Sequence, residues 1–155
     1  MALPRQPVLP DSLRLAVEFQ AAEAYPLEVD GDIVRIDSRP PLYLALICTH
    51  YFKRTASTVS RGETFTSIAE SMFDTDESSI IGGFHAHPCA TPVASRRRDY
   101  ARKKDQELTD EANIHDGCYE LITSVWPTWQ GSGWRFRHAL YIRDGAVLRI
   151  AGTLE

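Results

Sequence analysis

Apolar positions along this chain recur with two different periods, and the switches between them outline its elements. Behind an extended lead-in with prolines at 4, 7 and 10, Leu13, Val17 and Ala21 fall at helical spacing. Asp11-Ser12 can cap that helix, and Pro26 bounds its end. "DIVRID" then alternates as a half-buried strand does, whereas "LYLALICTHYF" is continuously apolar and predicts a strand buried on both faces; Pro40-Pro41 separates the two. From Arg61 to Phe73 the residues Phe65, Ile68, Ala69, Met72 and Phe73 sit at i, i+3, i+4, i+7 and i+8, an amphipathic helix pattern. "SSIIGGFHAH" reads as a strand. A proline-containing loop leads into "SRRRDYARKKDQELTDEAN", rich in helix formers with Ser95 as a cap. The strands "YELITSVW", "GWRFRHALYIRD" and "AVLRIAG" follow, punctuated by Pro127, Gly131, Gly133 and an Asp144-Gly145 turn.

Helix, strands, helix, strand, helix, strands is the order expected of an α/β or α+β domain with helices packed on a mixed sheet. The 155 residues, 43% of them hydrophobic, suit one domain over 1–155 with a substantial core. A net charge of −4 gives no general reason to bind nucleic acid. The basic run Arg96 to Arg98 with Arg102, Lys103 and Lys104 is followed at once by Asp105, Glu107, Asp110 and Glu111, as on a solvated helix face. Cys48, Cys89 and Cys118 match no disulfide framework and fit a reducing cytoplasm. No apolar run approaches the roughly 18 residues of a membrane span, and the start lacks a secretory signal's apolar core, so neither membrane nor export is expected.

The chemistry concentrates in "IIGGFHAHP". On a strand, residues i and i+2 share a face, so His85 and His87 look one way and Phe84 and Ala86 the other. Two imidazoles can thereby converge on one ion at a strand end that Pro88 terminates. Gly82-Gly83 implies a close backbone approach or a bulge beside them. An isolated H-x-H is about as often two polar residues on a solvated strand end, and what shifts the balance is the setting. Asp99 follows at a distance that a loop and one helical turn can fold back, and a carboxylate is a suitable third zinc ligand.

The stretch "HAHPCATPVASRRRD" resembles the metal motif of the JAMM metallopeptidases, also called JAB or MPN domains: H-x-H-P, a spacer, then Ser-x-x-Asp. An upstream "PLEVDG" matches the family's glutamate with its flanking proline and glycine, at Pro26, Glu28 and Gly31. The resemblance runs by motif from Glu28 to Asp99 and by element order over most of the chain, since the family domain is also a helix-flanked mixed sheet. It departs in one place: three residues, Arg96 to Arg98, separate Ser95 from Asp99, where the family has two. Positions i+3 and i+4 share a helix face, so the extra residue rotates the carboxylate by roughly 100° without carrying it to the far side.

The resemblance implies one zinc ion per chain held by His85, His87 and Asp99, with Glu28 as general base and Ser95 as hydrogen-bond donor to the developing oxyanion. It implies as substrate an isopeptide or peptide bond after the C-terminal tail of a ubiquitin-like protein. The short chain looks like a compact prokaryotic version, of the kind found beside ubiquitin-like conjugation proteins, including in phage-defence operons. The loops Ser57 to Glu63 and Cys89 to Ala94 are candidates for shaping the groove that takes the tail. Two other readings stay open: an inactive MPN scaffold that only binds partners, and a metal-dependent hydrolase of another small amide.

Of the remaining groups, Glu18 and Glu23 are expected on the solvated side of the first helix, and His115 is the reserve metal ligand. His50 and His138 are expected at the surface or as satisfied polar groups, and Cys48 and Cys118 in the core. Cys89 reads as a loop residue near the metal, and Trp126, Trp129 and Trp134 as hairpin packing. The oligomeric state is not legible in the sequence.

Overall fold

The structure is a computed structural model that describes residues 5–49, 51–55, 59–89, 116–128, 133–145 and 147–154. Among these, two helices flank a six-stranded mixed sheet. Helix α1 (Asp11–Ala24) leads into β1 (Asp30–Ile36) and β2 (Leu42–Ile47). A small hairpin, β3 (Tyr51–Arg54) and β4 (Val59–Arg61), precedes α2 (Glu63–Phe73). Then come β5 (Ser78–Pro88), β6 (Tyr119–Pro127), β7 (Trp134–Asp144) and β8 (Val147–Ala151). The sheet order is β2-β1-β5-β6-β7-β8, with β5 and β6 parallel and every other neighbouring pair antiparallel. No helix of the described residues is long and apolar enough to cross a membrane.

The helical spacing read from the sequence is what docks α1: Leu13, Val17, Ala21 and Ala24 are buried along one stripe. They meet the face of the sheet that presents Val29, Ile33, Phe84, Ala86, Leu121, Val125 and Leu140. Burying a side chain the size of Leu or Val contributes about 1.5–3 kcal/mol, so this layer holds α1 in place. Asp11 is the first residue of the helix rather than its cap, which is Pro10 and makes no side-chain capping bond; the Asp11 carboxylate sits in the first turn, where the helix dipole favours it.

Three expectations are corrected. "LYLALICTHYF" is divided between β2 and β3, and β2 is an edge strand, half-buried over most of its length. Its unbroken apolar run arises because Tyr43, Ala45 and Ile47 pack toward the α1 core while Leu44 and Leu46 are half-buried on the other face. In α2, Ala69 is buried and Phe65 and Phe73 are half-buried, but Ile68 and Met72 are exposed, so the inward stripe is narrower than the pattern implied. Glu18 turns inward from α1 to a buried histidine instead of facing solvent.

Strand β5 is the hinge of the architecture. Its register with β1 slips between Ile33 and Val34, leaving Ile81 as the extra residue of a bulge. Immediately after, Gly82 lies so close to β6 that a Cβ there would be driven into the Tyr119 backbone. The close approach suggested by the glycine pair is thus realised at Gly82, with a bulge at the adjacent Ile81.

Candidate functional site

The two sides of the sheet differ in chemistry. Phe84 and Ala86 are buried under α1, and the intervening His85 and His87 project from the opposite face, half-buried. In the antiparallel register Asp30 lies opposite His85 and Asp32 opposite Gly83. The Ala86 N–H donates to the Val29 carbonyl at 2.9 Å, and carrying that register on by two residues sets Glu28 opposite His87. Glu28, Asp30 and Asp32 therefore share one face with both histidines. The carbonyl of Thr55, just after β3, accepts the Glu28 N–H at 2.8 Å. Gly31, the glycine of the upstream motif, has no room for a side chain, because a Cβ would collide with the Leu46 carbonyl and the Phe84 ring.

The imidazoles converge through equivalent atoms: His85 Nε2 and His87 Nε2 are 3.0 Å apart, with ring centroids 4.8 Å apart. Two nitrogen donors of a tetrahedral zinc lie about 3.3 Å apart, so the pair is close to chelating geometry. A carboxylate from β6 completes the arrangement, with Glu120 Oε1 2.5 Å from His85 Nδ1. Both nitrogens of His85 are thus engaged. Ser124, opposite His87 in the parallel register, has a fully buried hydroxyl with no hydrogen-bond partner among the described residues.

Electrostatics follow from that packing. Burial pushes the Glu28 carboxyl up to about 7; the charge of His85 pulls it down and that of Asp30 adds to the rise. For His85, burial alone works against the charged ring, but the Glu120 hydrogen bond and the charges of Glu120, Glu28 and Asp30 outweigh it, so its pKa lies above the ordinary 6.5. The donor set suits a divalent cation: two Nε2 atoms turned toward one point, amid carboxylates. Among the described residues no group of three His, Cys, Asp or Glu forms a complete metal cluster. Ser95, Asp99 and the reserve His115 lie outside the described residues, as do His50 and Trp129.

Glu120 escaped the sequence reading. Its one local signal is that it is the sole charged residue in the otherwise uncharged "YELITSVW". A second polar cluster, on the α1 side, also went unread. There His138 Nε2–H donates to Glu18 Oε1 at 2.8 Å, and its Nδ1 accepts from the Thr123 hydroxyl at 2.9 Å. Burial lowers the His138 pKa, partly opposed by Glu18, so the neutral ring is a satisfied core group. Cys48 is buried as expected, Cys118 is half-buried, and Cys89 is exposed with its Sγ 3.0 Å from the Tyr25 hydroxyl. Trp134 packs edge-on against Tyr25 at 5.3 Å. An open hollow lined by Ile36, Met72 and Phe73 lies near Ser78, at the opposite end of β5 from the histidines.

No family model matches this chain, and no curated protein does. Its fold is similar to the solution structure of a structural-genomics target from Desulfitobacterium hafniense, with a TM-score of 0.63 over 94% of this chain and 90% of that one. The two share 14% of their residues, a likeness of fold alone.

Proposed function

We propose that this protein is a zinc-dependent isopeptidase or peptidase of the JAMM type, acting after the C-terminal tail of a ubiquitin-like protein. The observation that carries the reading is the single face on which His85 Nε2 and His87 Nε2 converge at 3.0 Å beside the buried carboxylate of Glu28. His85 and His87 would hold the ion, with Asp99 as the third ligand by resemblance. Zinc, when bound, supplies a water of lowered pKa and a Lewis acid for the scissile carbonyl. Glu28 takes a proton at its carboxylate oxygen and returns it to the leaving amine, a role that a carboxyl with a pKa near neutrality is suited to. Ser95 donates a hydrogen bond to the oxyanion, again by resemblance. The tail is expected to be an extended peptide, which a sheet edge can bind through main-chain hydrogen bonds.

Zinc content and turnover test this reading together. The wild type is expected to carry one zinc per chain by mass spectrometry and to cleave a ubiquitin-like protein bearing a C-terminal extension. His87→Ala and Asp99→Ala should lose the metal. Glu28→Gln should keep it while kcat falls by about 10²–10⁴-fold. A wild type that takes up no zinc even when it is supplied would replace this reading with that of a partner-binding scaffold. A zinc-loaded wild type that leaves every such fusion intact would point to another amide.

A further inference from the structure

Glu120 reaches the site from a different strand and is held there by construction. The parallel register pairs it with Gly83, two residues before His85, and its side chain lies across that glycine toward the ring. A Cβ at position 83 would stand 3.3 Å from Glu120 Oε2 and 3.2 Å from the Gly31 carbonyl, tight contacts that the glycine avoids. Only 14% of the Glu120 side chain is exposed, which confines the carboxylate to this neighbourhood.

We infer that Glu120 is the positioning residue of the histidine pair, fixing His85 as the Nδ1–H tautomer with its Nε2 lone pair turned toward His87. An ionised carboxylate can only accept hydrogen bonds, so at 2.5 Å the hydrogen belongs to His85 Nδ1, and in the neutral ring the lone pair is left on Nε2. That atom is the one 3.0 Å from His87 Nε2, and the hydrogen between the two Nε2 atoms belongs to His87. A metal ion would take that hydrogen's place. Carboxylate support behind a ligating imidazole sets its orientation and raises its basicity. The inference rests on the metal reading proposed above for its consequence, but the tautomer itself is a property of the metal-free protein.

The test uses both levels. In metal-free, full-length protein labelled with nitrogen-15, long-range proton–nitrogen correlation at a pH where the ring is neutral should show His85 with a protonated Nδ1 and a bare Nε2. Glu120→Gln keeps an acceptor oxygen at the same reach but loses the charge, so the tautomer should persist while competition titration with zinc alone gives an affinity about 10-fold weaker. Glu120→Ala removes both, and the tautomer preference should disappear with an affinity loss near 100-fold. A wild-type His85 protonated on Nε2 overturns the inference, and this reading needs no variant to fold. So does zinc affinity within threefold of wild type in both variants. If wild type binds no zinc at all yet shows the Nδ1–H tautomer that Glu120→Ala abolishes, the metal reading fails and the positioning by Glu120 stands.

Discussion

At the scale of single residues, the site keeps a group in the fold at a cost to stability. Glu28 is 8% exposed and titrates near 7, whereas a carboxyl in the unfolded chain titrates near 4.5. Between those values the unfolded chain loses its proton first. Stability is therefore present below about pH 4.5 and is lost as pH rises from there through 7, by about 3 kcal/mol for a shift of this size. Glu28→Gln should accordingly stabilise the metal-free protein by that amount at pH 8 and change little at pH 4, as urea unfolding at the two pH values would measure. A variant no more stable than wild type at pH 8 would mean that the carboxylate is better solvated than its burial implies. His85 and His87 were legible because strand alternation is a local property of the chain, and Glu28 because the motif around it resembles a family's. Glu120 was not, because its contact with His85 spans 35 positions and exists only through the pairing of β5 with β6. Ser95 and Asp99 rest on the motif alone.

At the scale of elements, periodicity gave the type of each segment more surely than its position in the sheet. The bounds of α1, β5, β6, β7 and β8 fall within a few residues of their patterns. The edge position of β2 was hidden because hydrophobicity reports how covered a strand's two faces are and is silent about neighbours along the hydrogen-bonding direction. The β3–β4 hairpin was missed because strands of 4 and 3 residues are too short to establish a period. The close approach that the glycine pair implied is realised where β6 passes over Gly82, and it gives a sharp test of the architecture. Gly82→Ala should destabilise the protein by about 3 kcal/mol or more, because backbone, unlike a side-chain tip, cannot step aside. Gly152→Ala, which meets nothing within 4 Å, should stay within about 0.5 kcal/mol of wild type. Equal melting temperatures for the two variants would show that the β5–β6 approach is looser than described.

At the scale of the whole molecule, the sheet divides the labour between its faces. One carries α1 and most of the apolar core, and the other carries Glu28, Asp30, Asp32, His85, His87 and Glu120. The strand that bears the histidines is interior to the sheet, paired with β6 as far as Pro88 and with β1 as far as His85, beyond which the Ala86 N–H still donates to the Val29 carbonyl. Its amides can reach solvent only when one of those ladders parts. Hydrogen exchange at His85, Ala86 and His87 should therefore proceed at the rate of global unfolding, in contrast to the amides of edge strand β2. Exchange as fast as that of β2 would show a locally opening β5. Under the metal reading proposed above, a backbone this confined would also decide how the molecule responds to loss of an ion. The two rings would stay in register on the strand with or without metal, so emptying and refilling the site would be a matter of ligand exchange at side-chain nitrogens, and a chelator would strip the protein without unfolding it.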